Sequence, residues 1–512
     1  MLTPTEFTPD VSLLSTERLR GMRRGLEKES LRVDARGPLP ALAQTPHPVA
    51  LGSALTHPHI TTDFSESQLE LITGVHPTVE SCLAELERVQ RFVCQQLPQG
   101  EQIWVSSMPC CLPTDDQIPL GYYGTSNSGR SKTVYRHGLG LRYGRRMQTI
   151  SGIHYNWSLP GLSSADYFAL IRNFRRHAFV LLYLLGASPA VCSSFVAGRQ
   201  HVLQPFPAAP DTTLYLPHAT SLRMGRLGYQ SDAQASLRVS YNSLEGYAHS
   251  LEQALTRPYA AYAAHGVQDA NGQYQQLATS LLQIENEFYS TIRPKRVTRP
   301  GQRPLHALRQ SGVEYVEVRL LDLNPLLPLG IDAQALRLID LFLLHCATTP
   351  SAPDSPQEIA DLLANQQAVA ERGRDPQLTL QRNGQSVLLR DWAHSVLQAL
   401  QPLAQAMEGV DAGYVPAWQA ASRLMDTPEQ LPSAQVLAGM QQQGASHTEW
   451  VQAQSARTHA AMTEPALAPD ELAHWQASAE QSLEKQRAIE AADTLPFDEY
   501  LQHYLAPESL VA

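Results

Sequence analysis

The sequence predicts an α+β fold with a mostly antiparallel sheet, and three observations carry that prediction. Four short runs in the first two thirds alternate apolar and polar residues with a period of two, as strands with one face in a core do. Around them stand runs with helical spacing, such as Val79, Leu83, Leu86, Val93 and Leu97. From residue 356 the chain becomes rich in Ala, Gln and Leu with helical periodicity, which adds a helix-rich C-terminal region.

Taken in order, residues 1–20 read as a lead-in. LEKESLRV is the first strand, and after a Pro- and His-rich stretch over 38–59 the run FSESQLELITGV is the second. Pro77 and Thr78 open a helix, with Glu80 suited to its first turn. Residues 98–147 are mostly loop, with a helical stretch near 131–143; loops of that length usually serve function. QTISGIHYNWSLP is a strand, followed by a helix from Asp166 to Leu185. The section 187–245 is irregular and aromatic, and 246–264 reads as a helix interrupted at Pro258. LLQIENEFYSTIRPKR and VEYVEVRLLDLNP supply further strands, and a helix covers 333–346. TTPSAPDSPQ then reads as a linker, so the expected division is a core over 1–349 and a helical region over 350–512 packed on it.

The 512 residues carry 39 Lys and Arg against 49 Asp and Glu, a net charge of −10, so an extended nucleic-acid backbone is not the expected partner. Six cysteines without CxxC spacing, in a chain large enough to need no disulfide staples, fit a reducing cytoplasm. The N-terminus MLTPTEFTPDVS lacks the basic and apolar regions of a secretory signal. The uncharged run Phe179–Gly198 is broken by Gly186, Ser188 and Pro189, so a buried helix followed by a loop is expected rather than a membrane span.

Sorting each strand by alternation gives the same answer four times. Glu27 and Glu29 share a face, as do Glu66, Gln68 and Glu70 opposite Leu69 and Leu71. His154 and Asn156 oppose Ile153, Tyr155 and Trp157; Tyr315, Glu317 and Arg319 oppose Val316, Val318 and Leu320. In one antiparallel sheet these faces form a single acidic surface. Crowded carboxylates need neutralising, and oxygen ligands with one imidazole suit Mg²⁺ or Mn²⁺ better than zinc. The plain alternative is a set of solvated sheet faces. A basic run follows, with Arg293, Lys295, Arg296, Arg299, Arg303 and Arg309; beside Mg²⁺ it suits a triphosphate, and alone it is a solvated loop. GTSNSGRS falls short of a Walker A loop, having Arg130 in place of the Lys and no buried strand before it. Cys110 and Cys111 have no neighbouring His to act as base.

GLEKESLRV, ALTHPHITTDFSESQLELIT, YGTSNSGRSKTVYRHGLGLRYG, MQTISGIHYNWSLP, LPHATSLRMGRLGY, LQIENEFYSTIRPKR and EYVEVRLLDLNP resemble the glutamate–cysteine ligases of proteobacteria, in order from about residue 20 to 346. The resemblance implies a glutamine-synthetase-like catalytic sheet with helices on its outer side, and ATP-dependent joining of the γ-carboxylate of L-glutamate to the amine of L-cysteine. It implies that Glu27, Glu29, Asp63, Glu70, His154 and Glu317 hold Mg²⁺, with Glu27, Glu317 and Arg319 central to catalysis. Arg293, Lys295 and Arg319 would meet the nucleotide. Gln148, Asn156 and Arg223 would line the glutamate site, and Phe64, Tyr135, Arg136, Leu139, Tyr229 and Tyr289 the cysteine site. Feedback inhibition by glutathione is implied too. His137 departs from the acidic residue expected there, and the connection from Pro160 to Tyr167 is short. The rival readings are a related ligase with another amine, a binding protein on the same sheet, and a nucleic-acid binder through residues 293–303.

Overall fold

A strand of twelve residues, β1 (Arg23–Asp34), forms the spine of the molecule. The computed structural model describes residues 8–109, 111–228, 232–235 and 237–511; Cys110 and Tyr229 lie outside them. Five further strands complete a main sheet: β2 (Ile60–Thr62), β3 (Gln68–Ile72), β4 (Ile153–Ser158), β5 (Ile292–Lys295) and β6 (Tyr315–Leu321). Their spatial order is β5-β6-β4-β1-β3-β2, and every neighbouring pair is antiparallel. Short strands at 41–42 and 101–103 pair with the far end of β1.

Alternation divides the sheet as the sequence predicts. On one face Leu26, Leu69, Leu71, Ile153, Tyr155, Trp157, Val316 and Val318 are each no more than 1% exposed. Side chains of this size contribute about 2 kcal/mol each when fully buried. They meet α1 (Val79–Gln96), capped by the Thr78 hydroxyl, together with α3 (Ser164–His177), the seven-residue helix Phe179–Leu185 and α4 (Ala333–Thr348). Lys28 also lies on this apolar face, where its ammonium donates to the Gln90 amide oxygen and burial lowers it to about 8.

The last third supplies α5 (Pro356–Arg372), α6 (Leu389–Glu408), α7 (Tyr414–Asp426), α8 (His447–Thr463), α9 (Pro469–Ala492) and α10 (Phe497–Leu505). α6 and α7 extend the same hydrophobic core behind α4. α9 packs first on α1, where Trp475 stacks on Phe92 at 6.0 Å, and α10 packs on the helix over 127–143. Ser482 Oγ accepts from the Ser53 amide at 2.8 Å, and Arg303 donates to the Tyr504 carbonyl at 2.9 Å.

Several local expectations change. Glu66 precedes β3 in a turn, where its carboxylate accepts the backbone N–H groups of His47 and Tyr122. Of LLQIENEFYSTIRPKR only Ile292–Lys295 pairs, because Glu285 and Glu287 are buried in a 3₁₀ turn that binds Arg303 and Arg142. The hairpin Thr379–Arg382 with Gln385–Leu388 interrupts the helical region. The helix α2 (Asn127–Tyr143) begins earlier than 131, because the Ser126 hydroxyl caps it by accepting from the Gly129 amide. That cap draws GTSNSGRS into a helix start, with Arg130 stacked on Phe497 at 4.2 Å. Among the described residues no helix is long and apolar enough to cross a membrane.

Candidate active site

Register places the chemistry. Glu27 stands opposite His154, Glu29 opposite Glu70, and Glu317 between Asn156 and Arg293 on its two neighbours. His154 Nδ1 lies 3.0 Å from Glu27, and its Nε2 lies 3.6 Å from Glu29. Arg319 donates to Glu317 at 3.0 Å, while Lys295 Nζ lies 3.1 Å from the other Glu317 oxygen. Glu27, His154 and Glu317 each offer a donor atom within 4.8 Å of the others, a separation at which one cation could be shared.

Loops and one helix build the walls above this floor. Asp63 and Phe64 come from the turn between β2 and β3, and α2 presents Lys132, Tyr135, Arg136 and Leu139 along one side. Gln148 donates to the Tyr289 hydroxyl at 2.7 Å. Arg223 sits in a short 3₁₀ turn and donates to the Arg319 carbonyl at 2.9 Å. Gly152 leaves room there, since a Cβ at that position would lie 2.1 Å from the Arg223 guanidinium. Together these groups enclose a cleft of about 470 Å³.

The charges in the cleft are unevenly settled. Burial, and then the neighbouring Asp63 carboxylate, push Glu29 up to about 8 against the pull of Arg223 and Arg319. Glu70 is raised well above the usual range by burial and by Glu27, Asp63 and Glu29. Burial also opposes ionisation of Glu317, yet Lys295, Arg319, His154 and Arg293 hold it well below the ordinary value. Burial, and Glu317 beside it, oppose ionisation of Glu27, yet the hydrogen bond and charge of His154, with Lys295, leave it lowered. Desolvation and Arg319 lower His154, which favours the neutral imidazole that a metal requires. One half of the face is thus neutralised by protein cations. The other half, around Glu29 and Glu70, asks for a cation from outside.

Of the site residues that the family resemblance implies, all but Asn156 and Tyr229 line this cleft. Asn156 lies beside it, where its amide donates to Glu27 at 2.9 Å and steadies that carboxylate. Tyr229 falls outside the described residues. The basic run divides: Arg293 and Lys295 line the cleft, Arg303 pairs with buried Glu285, and Arg309 pairs with Glu252. His137 turns away to the Gln275 carbonyl. Sequence reasoning passed over Lys132, Asn286, Leu363, Gln366 and Tyr504, which also line the cleft. Lys132 carried a signal, being one helical turn before Arg136; Gln366 and Tyr504 reach the site only through tertiary packing.

An acidic sheet face with arginine and lysine beside it suits phosphoryl transfer, the step by which one class of ligases activates a carboxylate. The comparisons narrow that class. The family model for glutamate–cysteine ligase matches residues 12–369. A glutamate–cysteine ligase of Azotobacter vinelandii is 48% identical over 95% of both chains, and one of Pseudomonas paraeruginosa is 47% identical over 94% of both. The crystal structure of a glutamate–cysteine ligase from Francisella tularensis in complex with AMP superposes with a TM-score of 0.90, at 34% identity, covering 95% of this chain and 98% of that one. A bifunctional glutathione synthetase from Pasteurella multocida superposes with a TM-score of 0.70 at 25% identity, over 91% of this chain and 57% of that one. The chain belongs to the glutamate–cysteine ligase family.

Proposed function

We propose that this cleft joins the γ-carboxylate of L-glutamate to the amine of L-cysteine at the expense of ATP, the first step of glutathione synthesis. The observation that carries this reading is the meeting of Glu27, His154, Glu317 and Arg319 in one cleft, within a chain of this family. Mg²⁺, or Mn²⁺ in its place, fits the donors present: Glu27, His154 and Glu317 suit one position, and Glu29, Asp63 and Glu70 suit the space beside it. When bound, such ions neutralise the β- and γ-phosphate oxygens.

The chain's own residues then divide the work. A glutamate γ-carboxylate oxygen attacks the γ-phosphorus, the bond to the ADP oxygen breaks, and γ-glutamyl phosphate forms. Arg319, held by Glu317, faces the charge that builds on the transferring group, and Lys295 lies farther along the phosphates. Arg223 and Gln148 hold glutamate, while Phe64, Tyr135, Leu139 and Tyr289 enclose the cysteine side chain. The cysteine nitrogen, having lost a proton, attacks the acyl carbon and phosphate leaves. No covalent enzyme nucleophile is needed. Glutathione carries the γ-glutamylcysteine unit and would inhibit by occupying the same walls. Cys82, Cys94 and Cys346, buried without a disulfide, suit work in the reducing cytoplasm.

The test is ADP release by the purified protein with Mg²⁺ and ATP, supplied with both amino acids, each alone, or neither. Release that needs both, with γ-glutamylcysteine seen by mass spectrometry, is the expected result. Equal release with glutamate alone would overturn cysteine as the acceptor.

A further inference from the structure

The side of α2 that looks into the cleft carries two cations one turn apart, and they are not equivalent. Arg136 is committed to the protein. Its Nε donates to the Asp63 carbonyl, Nη1 to the Lys132 carbonyl at 3.0 Å and Nη2 to the Thr62 carbonyl at 3.5 Å, while its plane lies over Tyr123 at 4.4 Å. It works as a bracket that holds the Asp63 turn against the helix. Lys132 reaches into the same cleft with its ammonium 5.3 Å from the Tyr123 ring, and that ammonium makes no hydrogen bond or ion pair with any described residue. We propose that Lys132 binds the α-carboxylate of the amino acid that donates the amine. The assignment rests on reading this helix face as the acceptor's pocket.

Position favours a substrate carboxylate over a phosphate. Lys132 senses Glu70 on β3, whereas Lys295 and Arg293 lie on β5, four strands away across the sheet. The apolar walls beside Lys132 are Tyr135, Leu139 and Phe64, which suit a short thiol side chain rather than a polyphosphate. Desolvation in the cleft, and then the Arg136 guanidinium, lower the Lys132 ammonium to about 8, and an anion docked beside it offsets that cost. A charge-assisted hydrogen bond of this kind is worth about a tenfold change in affinity or more.

The experiment compares wild type, Lys132→Met, Lys132→Arg and Phe64→Ala, with cysteine and with cysteamine, the same amine and thiol without the carboxylate. Lys132→Met is expected to raise KM for cysteine about tenfold while KM for glutamate and ATP stay put. The preference for cysteine over cysteamine should collapse in that variant and return in part with Lys132→Arg. If Phe64→Ala weakens cysteine but Lys132→Met leaves the preference intact, the pocket stands and the role of Lys132 is refuted. If neither variant changes the use of cysteine, the pocket itself is misplaced and Lys132 falls with it. A rise in KM for ATP alone would reassign Lys132 to phosphate and overturn the proposal.

Discussion

Glu317 gathers the cations of the site, since it touches Lys295 and Arg319 and faces Arg293 across the strands. Replacing it with Gln keeps the volume but removes the charge that aligns all three. Turnover is expected to fall by about 100-fold or more at ordinary Mg²⁺, with an unchanged far-ultraviolet circular dichroism spectrum as the check on folding. Near-normal turnover at limiting Mg²⁺ would contradict its place in the metal cluster. Glu29 gives a prediction about pH. Its folded-state pKa is raised to about 8, so the stability carried by its bound proton is complete below the ordinary carboxylate range and is gone once pH has risen through about 8. In EDTA the Tm should therefore decline between about pH 5 and 8 and level off above that, and Mg²⁺ should flatten that slope by binding the ionised form. A decline of equal steepness with and without Mg²⁺ would mean that no cation couples to this carboxylate.

At the scale of elements, the strands were the legible part and the loops were not. A period of two is local information, so Glu27, Glu29, Glu70, His154, Glu317 and Arg319 could be placed on one face from spacing alone. Glu66 followed the same alternation and was misplaced, because nothing local says that the chain turns before Gln68. Asp63, Gln148 and Arg223 sit in turns, where spacing carries no direction, and only the likeness to known ligases singled them out. Arg223 also shows how elements cooperate. α5 braces its turn, with Thr220 donating to the Val369 carbonyl at 2.9 Å, while Gly152 leaves room for the guanidinium. Gly152→Ala is expected to push that guanidinium aside and raise KM for glutamate about tenfold, leaving cysteine nearly unaffected; steady-state kinetics with each substrate varied decides.

For the molecule as a whole, one buried network ties the sheet to the C-terminal helices. Asp340 of α4 is fully buried and accepts from Arg24 of β1 at 2.8 Å, from the Tyr155 hydroxyl of β4 at 2.6 Å and from the Tyr414 hydroxyl of α7 at 2.7 Å. Asp340→Asn strands the Arg24 cation and should cost about 3–5 kcal/mol. Tyr414→Phe leaves the ion pair and should cost about 1–3 kcal/mol. Chemical denaturation of both variants tests the order, and equal losses would refute this account of the pair. This coupling was not readable in advance, because Arg24 and Tyr414 are joined by no local pattern.

Tyr504 makes the wall of the cleft a matter of timing. The last strand of the sheet ends at Leu321, yet α10 brings Tyr504 to the site, held through Arg303. At about 5–20 residues per second, a ribosome needs roughly 10–40 s to travel between those two points. During that interval the residues of the floor and of most walls have been made, and the wall that Tyr504 supplies has not.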